Sequence, residues 1–397
     1  MKLKSFRTTF TGIILIFFSS ILFSCKEENK KEYSHVSTQI INIPDQLDIT
    51  THADSIFSTL TFVPLETTDE CIISFVMNLK IIDSLIYIND GLKRLLVFDS
   101  NGKFKYQIGS KGNGPGEYLE MRDYIIYKDR IEILDFKKIL TYSLTGEYIK
   151  TKHFDFLDQN QYCNADYFTP APTGGYYFWG GTSGIKDFRT KNKKYLMYHI
   201  SDDMKIKKGE FLITHGSGSC FYRYSHYKDW ILIDPSYGDY NIYQIDNQGE
   251  ISSRYYFDFG KNAYKGEIPI PDKSKAPQIN EELNSYVLEM NNFLETQNWI
   301  HIDFAYKQKA YSAFYSKKKD KVYLLSPASP NLSPDEFRFW GALFAKGETL
   351  VMPIDASWLH AELNRMSPEY IKKLQLEKYK DQDEFNNPIL VYYTLKE

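Results

Sequence analysis

Short runs in which apolar and polar residues alternate come in closely spaced pairs along this chain. Residues 85–90 (Leu-Ile-Tyr-Ile-Asn-Asp) are followed by 94–99, a turn ending in Gly102, and a third run at 103–108. The plan returns in 131–135, 139–143, a turn ending in Gly146, and 147–150. Gly102 and Gly146 stand 44 residues apart, and Asp90 and Asp135 stand 45 apart. Alternation with period two predicts half-buried strands. A repeat of roughly 40–50 residues that yields about four short strands predicts the blades of a β-propeller.

Further copies can be placed along the chain. Blade one is expected at 76–108, blade two at 122–156, blade three at 165–213 and blade four at 221–257. The turn at Asp246–Gly249 matches the one at Asp99–Gly102. Blade five is expected at 299–325, and blade six from 337–354 with 388–395. Two helices interrupt this pattern. One is expected to start at a cap on Asn280 and to bury Leu283, Tyr286, Val287, Met290, Phe293 and Leu294 on one face. The other starts at Ser367 with Pro368 in its first turn and runs to about Lys380. Blade six then lacks one strand, and residues 38–43 are the spare candidate. Pairing the two ends of the chain would close the ring and hide two strand edges. The expected fold is an all-β, six-bladed propeller of four-stranded antiparallel blades over residues 38–397, with seven blades the competing count.

The first residues carry an address. Lys2, Lys4 and Arg7 precede an apolar run from Ile13 to Phe23, which ends in Ser24 and Cys25. A short apolar stretch behind positive charge predicts a secretory signal at 1–24. The cysteine that ends it resembles a bacterial lipobox, which implies lipid attachment at Cys25 and a membrane anchor. An ordinary signal peptide with a chance cysteine is the other reading. Polar residues 25–37 form a tether. Residues 1–24 hold three positive charges and no negative ones, so the formal net charge falls from −3 to −6 without them. Such a balance lacks the basic footprint of a nucleic-acid binder. Cys71, Cys163 and Cys220 have no metal spacing and no disulfide framework. No cofactor is expected, and a monomer is.

Between blades one and two lies Gly109-Ser-Lys-Gly112-Asn-Gly114-Pro115-Gly116-Glu117-Tyr118. No Lys-Ser/Thr follows and no helix begins there, so a phosphate-binding loop is disfavoured and a rigid connector expected. An inner hairpin, then G-x-G-P-G-E-Y, then another blade, all behind a lipoprotein signal, resembles the six-bladed β-propeller lipoproteins of Bacteroidota, related to NHL-type propellers. The resemblance implies a fold and an envelope location. It implies no reaction.

Several constellations bear on chemistry. His153-Phe-Asp155 and His301-Ile-Asp303 each place two metal-capable side chains on one strand face, but solvated strand surface is the expected role. Arg122, Arg223 and Arg338 each begin a candidate innermost strand. Together with Glu117 and Tyr118 they are the candidate ligand-binding residues, as a basic funnel for an anion at the channel mouth. The alternative is that each arginine pairs with an acid of the neighbouring blade, such as Glu117 or Glu336. Trp179, Trp340 and Trp358 could stack on sugar rings if exposed. No Ser-His-Asp spacing, nucleophile elbow or HExxH stands in the chain. The expected function is therefore non-enzymatic binding of a glycan, peptide or envelope partner protein at the cell envelope. The rival is a channel-centred lyase or hydrolase acting on a carbohydrate or lactone.

Overall fold

The computed structural model describes residues 38–154, 165–180, 185–186, 194–212, 224–234, 238–266, 283–330, 332–383 and 385–397. No described helix is long and apolar enough to cross a membrane. The signal segment, Cys25, the tether, Asp155, Cys163, Cys220 and Arg223 lie outside the described residues. Six antiparallel sheets follow one another along the chain, and each starts from an innermost strand. Those strands are Val76–Ile82, Asp123–Ile126, Tyr167–Pro170, Tyr224–Tyr227, Met290–Glu295 and Phe344–Lys346. Apolar residues from facing sheets fill the spaces between blades. One such layer joins Tyr87, Val97, Tyr124, Ile133 and Tyr142.

The repeated turns and acids have structural causes. Gly102, Gly146 and Gly249 adopt φ of +80°, +91° and +81°, a left-handed geometry that glycine enters without penalty. At Gly102 space is also short, since a Cβ there would sit 2.0 Å from the Pro64 oxygen. Asp90 is fully buried and accepts hydrogen bonds from the Arg94 amide and guanidinium. Asp135 does the same work one blade on, accepting from the Leu119, Glu120 and Phe136 amides.

An N-terminal strand does close the last blade, but its residues differ from those expected. Phe57–Pro64 pairs antiparallel with Ile389–Leu395, and that strand pairs with Thr349–Ile354. Gln39–Asn42 runs parallel to the outer strand Ile251–Asp258 and becomes a fifth strand of blade four. The closing strand buries Phe57 against Phe314, Phe339 and Tyr393, with ring centroids 4.9–5.4 Å apart. Residues 38–43 are too short to supply that surface.

The helix expected over 280–294 is corrected. Residues 280–282 lie outside the described set and Leu283 is helical, but residues 284–286 are turn and bend and Met290–Glu295 is the innermost strand of blade five. Its pairing shifts register between Asn291 and Leu294, and Asn292 takes φ +52°. A bulge inserts extra residues, so buried Met290 and Phe293 fall three apart and imitate a helical period. The second helix forms at Pro368–Lys373, with the Ser367 side chain accepting from the Tyr370 amide, and a 3-10 turn follows at Glu377–Tyr379. Another helix, Ala356–Arg365, was not expected. It buries Ala356, Leu359 and Leu363 under blade six.

Candidate functional site: the central cavity

Hydrogen bonds stitch the innermost strands of neighbouring blades together. Asn78 of blade one donates to Asp123 of blade two (3.3 Å), and Asp123 also accepts from the Phe168 amide of blade three (3.1 Å). Thr169 meets His226 Nε2 of blade four at 3.0 Å. Lys80 donates to the Tyr124 main-chain oxygen, and its ammonium lies 4.5 Å from the Tyr124 ring centroid.

These strands enclose a cavity of about 420 Å³. Its apolar wall includes Ile82, Ile125, Phe168, Pro170, Leu294 and Phe344, and its polar groups include Asn78, Lys80, Thr169, Ser225, His226 and Asn292. A volume of this order, mostly apolar with a few placed polar groups, is the usual make-up of a small-molecule site.

The electrostatics are uneven. Burial pushes the Lys80 amine below its ordinary pKa, and the nearby Asp123 carboxylate partly opposes this. Burial raises the pKa of Asp123, although Lys80 and its own hydrogen bonds act the other way. His226 is open to the cavity yet ringed by protein, and desolvation followed by the Lys80 charge pushes it down to about 4. It is therefore a neutral imidazole at ordinary pH. Several polar atoms here have no hydrogen-bond partner among the described residues: Asn78 Oδ1, Tyr224 OH and Asn292 Oδ1. By contrast Glu295, at the cavity edge, accepts from Arg254, Tyr255 and Lys317.

The arginine funnel is not what the described residues form. Arg122 reaches Asp166 at 3.2 Å and Glu120 at 3.7 Å, and its guanidinium lies over Phe136. Arg338 pairs with Glu362 of the Ala356–Arg365 helix at 3.3 Å. Neither lines the cavity. Arg122 follows the ion-pair alternative through Asp166, next to the inner strand of blade three, whereas Arg338 meets an acid of its own blade's trailing helix. The acid partner of Arg338 is Glu362, while Glu336 instead holds His52 and the Ala53 amide.

Glu117 and Tyr118 serve the connector. The Glu117 carboxylate accepts from the Gly114 amide at 2.7 Å, and the Gly112 amide bonds the Tyr118 oxygen at 2.9 Å. Tyr118 is fully buried in the layer between blades one and two, so no ligand can reach it. Of Gly112, Gly114 and Gly116, only Gly116 has positive φ, at +75°. A Cβ on Gly112 would meet Glu117 Oε2 at 2.1 Å, so the Glu117 side chain would have to shift and give up its place on the Gly114 amide.

His301 and Asp303 are also corrected. They are not solvated surface: His301 is 1 % exposed, and its Nε2 lies 2.9 Å from Asp303. Asp303 also accepts from Ser312 and from Asn292 Nδ2, so the pair fixes the cavity-lining Asn292. Among the described residues no group of three or more His, Cys, Asp or Glu could hold a metal ion.

Trp179 is buried, whereas Trp340 and Trp358 are 36 % and 48 % exposed, with centroids 4.8 Å apart. Lys80, His226, Thr169 and Asn292 were missed as site residues. Their sequence signal is only a position near the middle of an innermost strand, and it becomes legible once the blade starts are known.

The chain matches the DUF5128 family model, described as a 6-bladed beta-propeller, over residues 27–353, and belongs to that family. A crystal structure of a "Putative exported protein" from Bacteroides fragilis is similar at TM-score 0.71 and 20% identity. The match covers 90% of this chain and 100% of that one. The extracellular domain of a "putative one component system" from B. thetaiotaomicron matches at TM-score 0.37 and 12% identity, over 69% of this chain and 30% of that one. The first likeness bears on fold, and the second is too weak to bear on anything. No curated protein matches the chain.

Proposed function

We propose that this six-bladed propeller is a non-enzymatic binding protein of the cell envelope and that its central cavity holds the ligand. One observation carries the reading. The innermost strands surround a cavity of about 420 Å³ whose largely apolar wall carries a few polar side chains, among them Lys80, Ser225 and His226. An apolar wall with a few placed polar groups is the usual make-up of a small-molecule site. Asp234 lines the cavity but is not free, and binding is favoured over catalysis because Asp123 beside the cavity and Glu295 in its lining already accept three and four hydrogen bonds. Neither is poised as a general acid or base.

The test is thermal-shift screening of the full chain against small metabolites, short glycans and peptides, repeated with Leu294→Trp to fill the cavity. Compounds that stabilise the parent and lose their effect in the variant support the reading. Stabilisation that persists in the variant, or turnover of the compound, contradicts it. The envelope location rests on the lipobox-like end of the signal at Cys25. Mass spectrometry of the mature N-terminus is expected to find acyl chains on Cys25, and an unmodified N-terminus beyond it overturns the anchor.

A further inference from the structure

We propose that the ligand of the central cavity is a small organic carboxylate with an apolar body, its anion seated on the Lys80 ammonium. This rests on the reading of the cavity as the binding site and adds the chemical class of what it takes.

Lysine carries three N–H donors and no acceptor. Lys80 directs one to the Tyr124 carbonyl, and no carboxylate lies within ion-pair distance of it among the described residues. Asp123 acts on it through space. Its oxygens, however, are held by Asn78 and by the Tyr124 and Phe168 amides. Two donors on the ammonium thus remain for a partner at the cavity. A cation in so confined a site is stabilised most by an opposite charge with matching acceptors.

The rest of the lining narrows the class. Lys80 is the one lysine or arginine among the lining residues. Of the two lining carboxylates Glu295 is engaged by Arg254, Tyr255 and Lys317, and Asp234 is not free, so Lys80 is the group that a single negative charge would meet. His226 is neutral and can hydrogen-bond through Nδ1 while Nε2 engages Thr169. Ile82, Ile125, Phe168, Pro170, Leu294 and Phe344 offer apolar surface to a hydrocarbon body. A cationic ligand would meet Lys80 with repulsion, and a neutral one would leave the ammonium without its counter-charge.

The experiment is titration calorimetry of the full chain with phenylacetate, 4-phenylbutyrate and 6-phenylhexanoate, each beside its primary amide. The expected result is that at least one carboxylate binds about tenfold or more tighter than its amide, the size of one charge-assisted hydrogen bond. Lys80→Met should abolish that preference, and Lys80→Arg should retain part of it. Far-UV dichroism of each variant checks the fold, and Leu294→Trp should block both members of a pair. If amide and carboxylate bind equally, the carboxylate inference fails while cavity binding stands. If no member binds, or if binding survives Leu294→Trp, the cavity reading fails with it.

Discussion

Lys80 on the innermost strand of blade one donates to the main-chain oxygen of Tyr124 on the innermost strand of blade two, with its ammonium 4.5 Å from the Tyr124 ring centroid. This cross-blade contact turns a charged side chain along the channel wall. Asp123, the residue before Tyr124, supplies the field that partly offsets the burial of that charge. Fold and candidate site therefore share the same residues.

Asp123 is the hinge of that arrangement, since it joins blades one, two and three. Asp123→Ala leaves the Asn78 amide and the Phe168 N–H without acceptors. Stability is expected to fall by about 1–3 kcal/mol, the cost of unsatisfied buried donors. Urea unfolding measures this, and an unchanged midpoint would show that water replaces the carboxylate.

His226 gives a pH signature. Its folded pKa of about 4 lies below the ordinary histidine value of 6.5 because burial and then the Lys80 charge disfavour the protonated ring. The unfolded chain then binds more protons than the native one between these values. The stability linked to His226 is fully present above about pH 6.5 and declines as pH falls towards 4. Thermal unfolding across this window should show that His226→Gln flattens the slope. An identical slope in the variant would place the titration elsewhere.

Ring closure depends on Phe57–Pro64. Phe57→Ala removes a buried ring that touches three others, and is expected to cost about 3–5 kcal/mol. Ile40 on the added strand of blade four is 59% exposed, so Ile40→Ala should stay within about 0.5 kcal/mol. Equal losses at the two positions would contradict the closure.

The turn glycines separate strain from space. Gly146→Ala meets only ordinary contacts, the nearest at 3.6 Å, so left-handed strain alone should cost about 1 kcal/mol. Gly102→Ala adds a clash with the Pro64 main chain and should cost about 2 kcal/mol or more. Denaturant midpoints of the two variants test the order.

The blade plan was legible because it lives in local signals: period-two alternation, turn glycines and strand-ending acids such as Asp90 and Asp135. The N-terminal closure was legible only as a need for a strand, because pairing partners far apart in sequence leave no local mark. Residues 38–43 and 57–64 both look like strands. The bulge at Asn291–Leu294 defeated the periodicity outright. The helix at Ala356–Arg365 could have been found, since Asp355 precedes apolar residues at 356, 359 and 363, spaced for one helical face. Arg122 directly precedes the strand Asp123–Ile126 as expected, but Arg338 lies outside any strand, ahead of the inner strand Phe344–Lys346, and which acid each meets depends on blade packing. Lys80 and His226 carry no motif at all. Their role depends on six strands meeting around one axis.

The central claim is tested most directly by a crystal structure of the chain with 4-phenylbutyrate. The account predicts the ligand inside the central cavity, its carboxylate on Lys80 Nζ and its ring against Phe168, Leu294 and Phe344. A ligand found only at the exposed Trp340–Trp358 pair, or none in the cavity at saturating concentration, would contradict it.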